Sequence, residues 1–342
     1  MSVHDQLRAT VEAMTQRGKG LLAADESLGT ITKRFDTIGL ESTAENRRAY
    51  RSLLFGTRGA AEFISGVILF EETLGQKDDA GKSLVQVLVD QGIVPGIKVD
   101  KGTAPLAHAP GDDVTQGLDG LADRLRTYRE QGARFAKWRA TYRIGDRNPS
   151  QLAIDANAQL LARYAAICQE QGVVPIVEPE VLMDGDHSIE RCAEVTEAVL
   201  HEVFASLFRN RVVLEHMILK PNMVIPGKEH GSKAGSEQVA AETIRVLKRR
   251  VPAAVPGIMF LSGGQTPAQA TENLNAMNAM DPNLPWVLSF SYGRALQDHA
   301  LKAWRGQAAS VEAAQNAYLQ RARLNGLACR GQYRPELEKQ AA

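Results

Sequence analysis

The stretch Val212-Val213-Leu214-Glu215-His216-Met217-Ile218-Leu219-Lys220-Pro221 ends an apolar run on a lysine and follows it at once with proline. Two other runs stop the same way, Val94-Pro95-Gly96-Ile97-Lys98-Val99 and Ala133-Arg134-Phe135-Ala136-Lys137-Trp138-Arg139. Stripping water from an ammonium is expensive, so lysine seldom sits inside apolar segments. One such lysine has a structural explanation, with its stem packed on apolar surface and its head in water. Three at equivalent ends of apolar runs point to a shared pocket, where one amine can lose its proton and become a nucleophile.

Outward from these runs, short apolar segments alternate with amphipathic helical stretches along the whole chain. The apolar segments are 20–24, 63–70, 93–99, 133–139, 173–177, 213–219, 257–261 and 286–290, each of strand length and rich in β-branched or aromatic residues. Between them lie helix signals. Ser42-Thr43-Ala44-Glu45 has the pattern of a capping box begun by Ser42. Leu118, Leu121, Leu125 and Tyr128 recur at helical spacing, Thr266-Pro267 reads as an N-cap with proline in the first turn, and 188–208 is a long apolar-periodic segment. Eight strands alternating with helices imply parallel βαβ units. The expected fold is an α/β single-domain (β/α)8 barrel over 1–328, with 300–328 as a C-terminal helical region and 329–342 as a mobile tail. A doubly wound open sheet is the alternative.

The chain has 342 residues, 44% of them hydrophobic, and 40 basic residues balance 40 acidic ones. No global field therefore favours nucleic acid or a membrane surface, although local basic clusters can still bind a small polyanion. Cys168, Cys192 and Cys329 are widely spaced with no CxxC pair, which argues against a disulfide framework and a structural zinc site. The polar start Met1-Ser2-Val3-His4-Asp5-Gln6-Leu7 is unlike a signal peptide, and no apolar run approaches membrane-spanning length. A reduced, cytoplasmic, soluble protein is the expectation.

A barrel places its chemistry at the C-terminal ends of its strands, and the unusual residues fall there. Asp25 follows the first run, Glu71 the second, Lys98 the third, and Lys137 with Arg139 the fourth. Glu178 and Glu180 follow the fifth, Lys220 the sixth, Ser262-Gly263-Gly264 the seventh, and Ser291-Tyr292-Gly293-Arg294 the eighth. Period-two alternation puts Lys137 with Arg139, and Glu178 with Glu180, on one face of each strand. Cations and carboxylates in one concave site push each other's pKa values apart. An amine nucleophile beside carboxylate acid/base groups is the apparatus of Schiff-base chemistry on a ketone. Ser262-Gly263-Gly264 and Gly293-Arg294 offer backbone donors and a guanidinium where barrel phosphate sites commonly lie. Ser27, Thr30, Lys33 and Arg34 form a second polar cluster suited to another phosphate.

With these residues in order, the chain resembles the class I, Schiff-base-forming fructose-1,6-bisphosphate aldolases. The resemblance rests on Gly20-Leu21-Leu22-Ala23-Ala24-Asp25-Glu26-Ser27, Gly66-Val67-Ile68-Leu69-Phe70, Gly96-Ile97-Lys98-Val99-Asp100-Lys101-Gly102 and Phe135-Ala136-Lys137-Trp138-Arg139. It continues through Val177-Glu178-Pro179-Glu180, Leu219-Lys220-Pro221-Asn222-Met223, Phe260-Leu261-Ser262-Gly263-Gly264-Gln265 and Phe290-Ser291-Tyr292-Gly293-Arg294-Ala295-Leu296. These stretches are colinear over nearly the whole chain.

The resemblance implies that Lys220 is the Schiff-base lysine, Glu178 the main acid/base, and Asp25 the group that manages the C4 hydroxyl proton. Lys137 would orient Glu178 and supply positive potential, with Glu180 completing the catalytic group. Ser262, Gly263, Gly264, Ser291, Gly293 and Arg294 would hold the phosphate of the dihydroxyacetone half. Ser27, Thr30, Lys33, Arg34 and Lys98 would serve the distal phosphate, and Arg139 would line the pocket. No metal or cofactor is implied, the partner is a sugar phosphate, and a homotetramer is expected. Vertebrate members end in a tyrosine that reaches into the site, whereas the last tyrosine here is Tyr333, nine residues before the end. From the residues alone, His216 is expected as a polar contact in the barrel core, and Lys98 either as a phosphate ligand or as an ion-pair partner of Asp100. Glu71 and Glu72 are expected on the mouth without chemistry, and Met277 with Met280 as helix packing. A metal-dependent barrel lyase and a catalytically idle scaffold on the same fold are the rival functions.

Overall fold

The computed structural model describes residues 2–341, the side chains of Gln340 and Ala341 excepted, and in it eight parallel strands close on themselves. They are β1 (Gly20–Ala24), β2 (Ile64–Leu69), β3 (Val94–Lys98), β4 (Phe135–Tyr142), β5 (Val174–Val181), β6 (Ile218–Leu219), β7 (Gly257–Phe260) and β8 (Val287–Tyr292). Each pairs with the next in sequence, and β8 returns to β1 with Leu21 opposite Ser291 and Leu22 opposite Tyr292. The barrel expectation holds and the open sheet does not. A small antiparallel hairpin, Thr103–Pro105 with Asp113–Thr115, is inserted between β3 and β4.

Two cores follow from the alternation of side chains along each strand. Outward-facing Leu22, Val67, Ile97, Trp138, Val177, Leu219 and Phe260 meet the surrounding helices. Inward-facing Leu21, Ile68, Phe135, Val174, Ile176, Ile218 and Met259 fill the barrel itself. The N-terminal end is plugged by α1 (Val3–Met14), which inserts Leu7, Val11 and Met14 into that inner core. Burying each large aliphatic chain is worth about 1.5–3 kcal/mol, so the lower half of the barrel is a solid apolar base. Gly96 belongs to it: a Cβ there would lie 2.2 Å from the Phe135 ring, so the ring occupies the space a side chain would need.

Local readings shift where a neighbour competes. The helix Ala44–Phe55 is capped by Thr43, whose side chain accepts from the Asn46 N–H at 3.1 Å, so the capping residue is not Ser42. The Glu45 carboxylate is instead engaged by Arg48, and Ser42 accepts from Arg47. The expected N-cap at Thr266 forms with Pro267 in the first turn, and Gln269 reciprocates to complete a capping box. The run 213–219 shortens to β6 because Leu214–His216 is a 3-10 turn. That turn puts His216 below the barrel against His4, with ring centroids 5.3 Å apart, rather than in the barrel core. Met277 is buried as expected, whereas Met280 is exposed and packs nothing comparable.

The helical region Val311–Ala328 is followed by a short 3-10 helix, Pro335–Ala341. In the stretch expected as a mobile tail, Tyr333 is buried, its N–H donates to Asn275 Oδ1 at 2.9 Å and its hydroxyl donates to Glu338 at 2.8 Å. Glu338 also pairs with Arg321 at 2.5 Å. Ala342 lies outside the described residues. Among the described residues no helix is long and apolar enough to cross a membrane.

Candidate active site

Above the apolar base the inward positions change chemistry. Along β4 the inward residues run Phe135, Lys137, Arg139, and along β5 they run Val174, Ile176, Glu178, Glu180, so the lower half is apolar and the upper half charged. Parallel pairing sets Arg139 opposite Glu178 and Lys98 opposite Lys137. Lys220 follows β6 directly, with its N–H donating to the Val177 carbonyl at 2.8 Å. These strand ends open into a cavity of about 1260 Å³.

Four ionisable groups form a chain at its floor. Lys137 Nζ lies 2.6 Å from Asp25 Oδ2 and 3.3 Å from Glu178 Oε2, and Lys220 Nζ lies 3.1 Å from Glu178 Oε1. All four are buried: Lys220 and Glu178 are 3% exposed, Lys137 4% and Asp25 8%. Burial pushes the Asp25 carboxyl up, but the Lys137 and Lys220 ammoniums outweigh it and hold it down at about 2. Burial pulls Lys137 down, but Asp25, Glu178 and Asp100 outweigh it and hold the ammonium above the usual lysine range. Lys137 is therefore a fixed cation, held between two carboxylates.

The third lysine is also committed. Lys98 donates to Asp100 twice, to the carboxylate at 2.5 Å and to the backbone carbonyl at 2.8 Å. It lines the cavity and is Asp100's ion-pair partner at once. Lys220 meets a single carboxylate, Glu178, and stands next to the fixed cation Lys137 through it. Arg139 pairs with Glu180; burial lowers its pKa, and the Glu180 carboxylate outweighs that and raises it.

Around the rim lie the anion-binding elements. Gly264 has φ +70°, a left-handed conformation that favours glycine, and a Cβ there would lie 2.4 Å from Met183. The Ser291 hydroxyl is buried with no hydrogen-bond partner among the described residues. Gly293 precedes the helix Arg294–Trp304, and among the described residues Arg294 has no ion-pair partner. After the neighbouring strand β1, Ser27 is the N-cap residue of the helix Leu28–Asp36, yet its side chain makes no capping bond and meets the Thr30 hydroxyl at 3.0 Å. Arg34 reaches towards the other cluster: its Nη2 lies 3.3 Å from where a Cβ on Gly293 would stand. All seventeen residues singled out from the sequence line this one cavity. Glu71 lines it too, and Glu72 is taken by Arg47.

A scan of the chain against family models matches residues 6–342 to the class-I fructose-bisphosphate aldolase family. The chain belongs to that family. It is 57% identical to a cytosolic fructose-bisphosphate aldolase of Arabidopsis thaliana over 321 residues, covering 94% of this chain and 82% of the relative. A fructose-bisphosphate aldolase of Dictyostelium discoideum is 56% identical over 335 residues, covering 97% and 94%. Among solved structures, the Plasmodium falciparum aldolase, in a ternary complex with TRAP and a small-molecule inhibitor, matches with a TM-score of 0.96 and 52% identity, covering 97% of this chain and 96% of that one.

Two parts of this aldolase site escaped the sequence reading, whereas Asp100, expected as an ion-pair partner of Lys98, does pair with it. Glu26 is buried between Arg34 and Arg51, with Arg51 at 2.6 Å and Gln297 donating at 2.9 Å. Burial pushes Glu26 up, but the two guanidiniums outweigh it and hold it low. Arg51 had a signal, since helical spacing places it over the apolar Leu54 and Phe55. Lys228 and Asp184 also line the cavity, from loops that gave no pattern. Tyr333 is not among the cavity's lining residues.

Proposed function

We propose that the protein cleaves fructose 1,6-bisphosphate reversibly to dihydroxyacetone phosphate and glyceraldehyde 3-phosphate through a Schiff base on Lys220. The observation that carries this reading is the buried Lys220–Glu178 contact at 3.1 Å, beside a Lys137 whose charge is fixed by Asp25 and Glu178. Lys220 Nζ attacks the C2 carbonyl of the open-chain sugar, and the carbinolamine loses water with a proton supplied by Glu178. Asp25, kept ionised at about 2, accepts the C4 hydroxyl proton as the C3–C4 bond breaks. The bonding pair flows into the protonated imine, which becomes an enamine, and the aldehyde departs. Protonation of the enamine at C3 and hydrolysis then release dihydroxyacetone phosphate and the free lysine. Lys137 holds Glu178 and Asp25 in place, and Arg139 does the same for Glu180.

The phosphate of the dihydroxyacetone half takes the Ser262–Gly264 turn, Ser291, Gly293 and Arg294. Ser27, Thr30, Lys33, Arg34 and Lys98 take the other. The reading extends to a cytoplasmic homotetramer that acts in glycolysis and gluconeogenesis, which sedimentation of the purified protein would check for assembly. Borohydride added with dihydroxyacetone phosphate should leave a covalent adduct on Lys220, identified by peptide mass spectrometry. A label on another lysine, or none, would refute the mechanism, and loss of cleavage in excess chelator would favour a metal-dependent route.

A further inference from the structure

Two loops at the cavity mouth are tied edge to edge. In the loop after β5 the carbonyls of Met183, Gly185 and His187 accept from Lys228 at 2.8 Å, Glu229 at 3.0 Å and Gly227 at 2.8 Å, all in the loop after β6. The contact is close enough that a Cβ on Gly227 would lie 2.2 Å from the Gly185 carbonyl oxygen. The Lys228 backbone is thereby fixed. Its side chain runs over the Ser262–Gly264 turn, with Cε 3.2 Å from where a Cβ on Gly264 would stand and Met183 packed beside it. The head meets Asp184 Oδ1 at 3.0 Å, where both side chains are about half exposed (50% and 46%).

We propose that Lys228 is a further substrate-binding residue, whose ammonium moves from Asp184 to the phosphate held at the Ser262–Gly264 turn. The inference rests on the aldolase reading of the cavity. A half-exposed lysine–aspartate pair is worth only about 0–1 kcal/mol, while a phosphate dianion offers more charge and several acceptor oxygens. Lysine is a compact charge on a flexible stem, so the exchange needs no backbone movement. Asp184 is then the competing anion that holds the head before substrate binds. The turn supplies fixed backbone donors, and Lys228 supplies a cation that closes over them. This phosphate is common to fructose 1,6-bisphosphate and fructose 1-phosphate, so Lys228 weighs on both equally.

The test compares Lys228→Met and Asp184→Asn in the full chain, by cleavage kinetics on both sugars and by inhibition with inorganic phosphate. Lys228→Met should raise KM for both sugars, and Ki for phosphate, roughly five- to tenfold. Asp184→Asn should lower both, by about two- to threefold, because it frees the lysine. A pair that only ties the loops together would weaken binding in both variants. Same-direction losses, an unchanged KM in Lys228→Met, or an effect confined to the bisphosphate would each overturn the proposal. Borohydride labelling of Lys220 in the wild-type enzyme reports separately on the Schiff-base reading: failure there removes that reading, whereas intact labelling with unmoved KM removes only Lys228.

Discussion

Lys137→Met tests whether the floor of the cavity is a balanced set of buried charges. In the wild type two ammoniums, Lys137 and Lys220, face two carboxylates, Asp25 and Glu178, all of them under 9% exposed. Removing one cation leaves a buried carboxylate uncompensated, a change that costs about 3–5 kcal/mol in comparable cases. Unfolding entropy near 2.1 cal/mol/K per residue makes each kcal/mol worth roughly 1.4 °C in a chain of this size. The thermal midpoint should therefore fall by about 4–7 °C at pH 7.5, measured at one fixed protein concentration.

The pH dependence carries the diagnostic sign. Asp25 is held at about 2 in the folded wild type against an ordinary value of 3.8, so it contributes stability that is present above 3.8 and lost as pH falls through 2. The shift corresponds to about 2 kcal/mol. In Lys137→Met burial is opposed only by the more distant Lys220 and Lys98, and the Asp25 carboxyl rises. A folded value above 3.8 reverses the sign: the penalty is complete at neutral pH and fades as acid protonates the group. The gap between wild type and variant should thus shrink from pH 7.5 to pH 5, to about half, with cleavage lost throughout. Scanning fluorimetry across that range reads it directly. A gap that stays constant, or one below about 1 °C at pH 7.5, would refute the charge-balance argument.

Ser291→Ala should leave the thermal midpoint unchanged, because the buried hydroxyl has no partner among the described residues to lose. It should raise KM for the bisphosphate about tenfold, the scale of one hydrogen bond to a charged group, and an unmoved KM in steady-state cleavage would remove Ser291 from the phosphate site. Gly96→Ala places a Cβ 2.2 Å from the Phe135 ring, which should cost about 1–3 kcal/mol by overpacking. Phe135→Leu in the same chain should recover part of that loss in a thermal scan, and strict additivity of the two changes would contradict the packing account.

Strand spacing made the barrel legible because both faces of a parallel strand are buried, leaving near-continuous apolar runs such as Leu21-Leu22 and Val67-Ile68-Leu69. The same rule marked the charges, since an ion at the end of such a run has no cheap structural reason to be there. What stayed hidden depended on partners remote in sequence. Arg34 and Arg51 meet over Glu26 only because the helices after β1 fold across its end. The strand at 213–219 lost its first half to a 3-10 turn that composition does not distinguish from an extended run. Lys228 lies in a stretch of mixed polar residues, 226–235, where no periodicity operates and only the hydrogen bonds to the facing loop give it a place.

Balanced composition and a polyanionic substrate are reconciled by where the charges sit. The chain as a whole carries 40 basic and 40 acidic residues, so long-range attraction does not draw a bisphosphate in. Eleven basic and eight acidic side chains line the cavity, a local excess of cations in a concave space with low-dielectric walls. Most of those acids are already paired, Asp25 and Glu178 with Lys137, Glu26 with Arg34, Asp100 with Lys98, Glu180 with Arg139 and Asp184 with Lys228. Arg294, Lys33 and Lys302 have no ion-pair partner among the described residues. The pairs at the floor are buried, and on the proposed reading of the site Arg294 and Lys33 are left to meet the incoming phosphates. Attraction is thus confined to the mouth, while the chemistry beneath it proceeds in a region that is already neutralised.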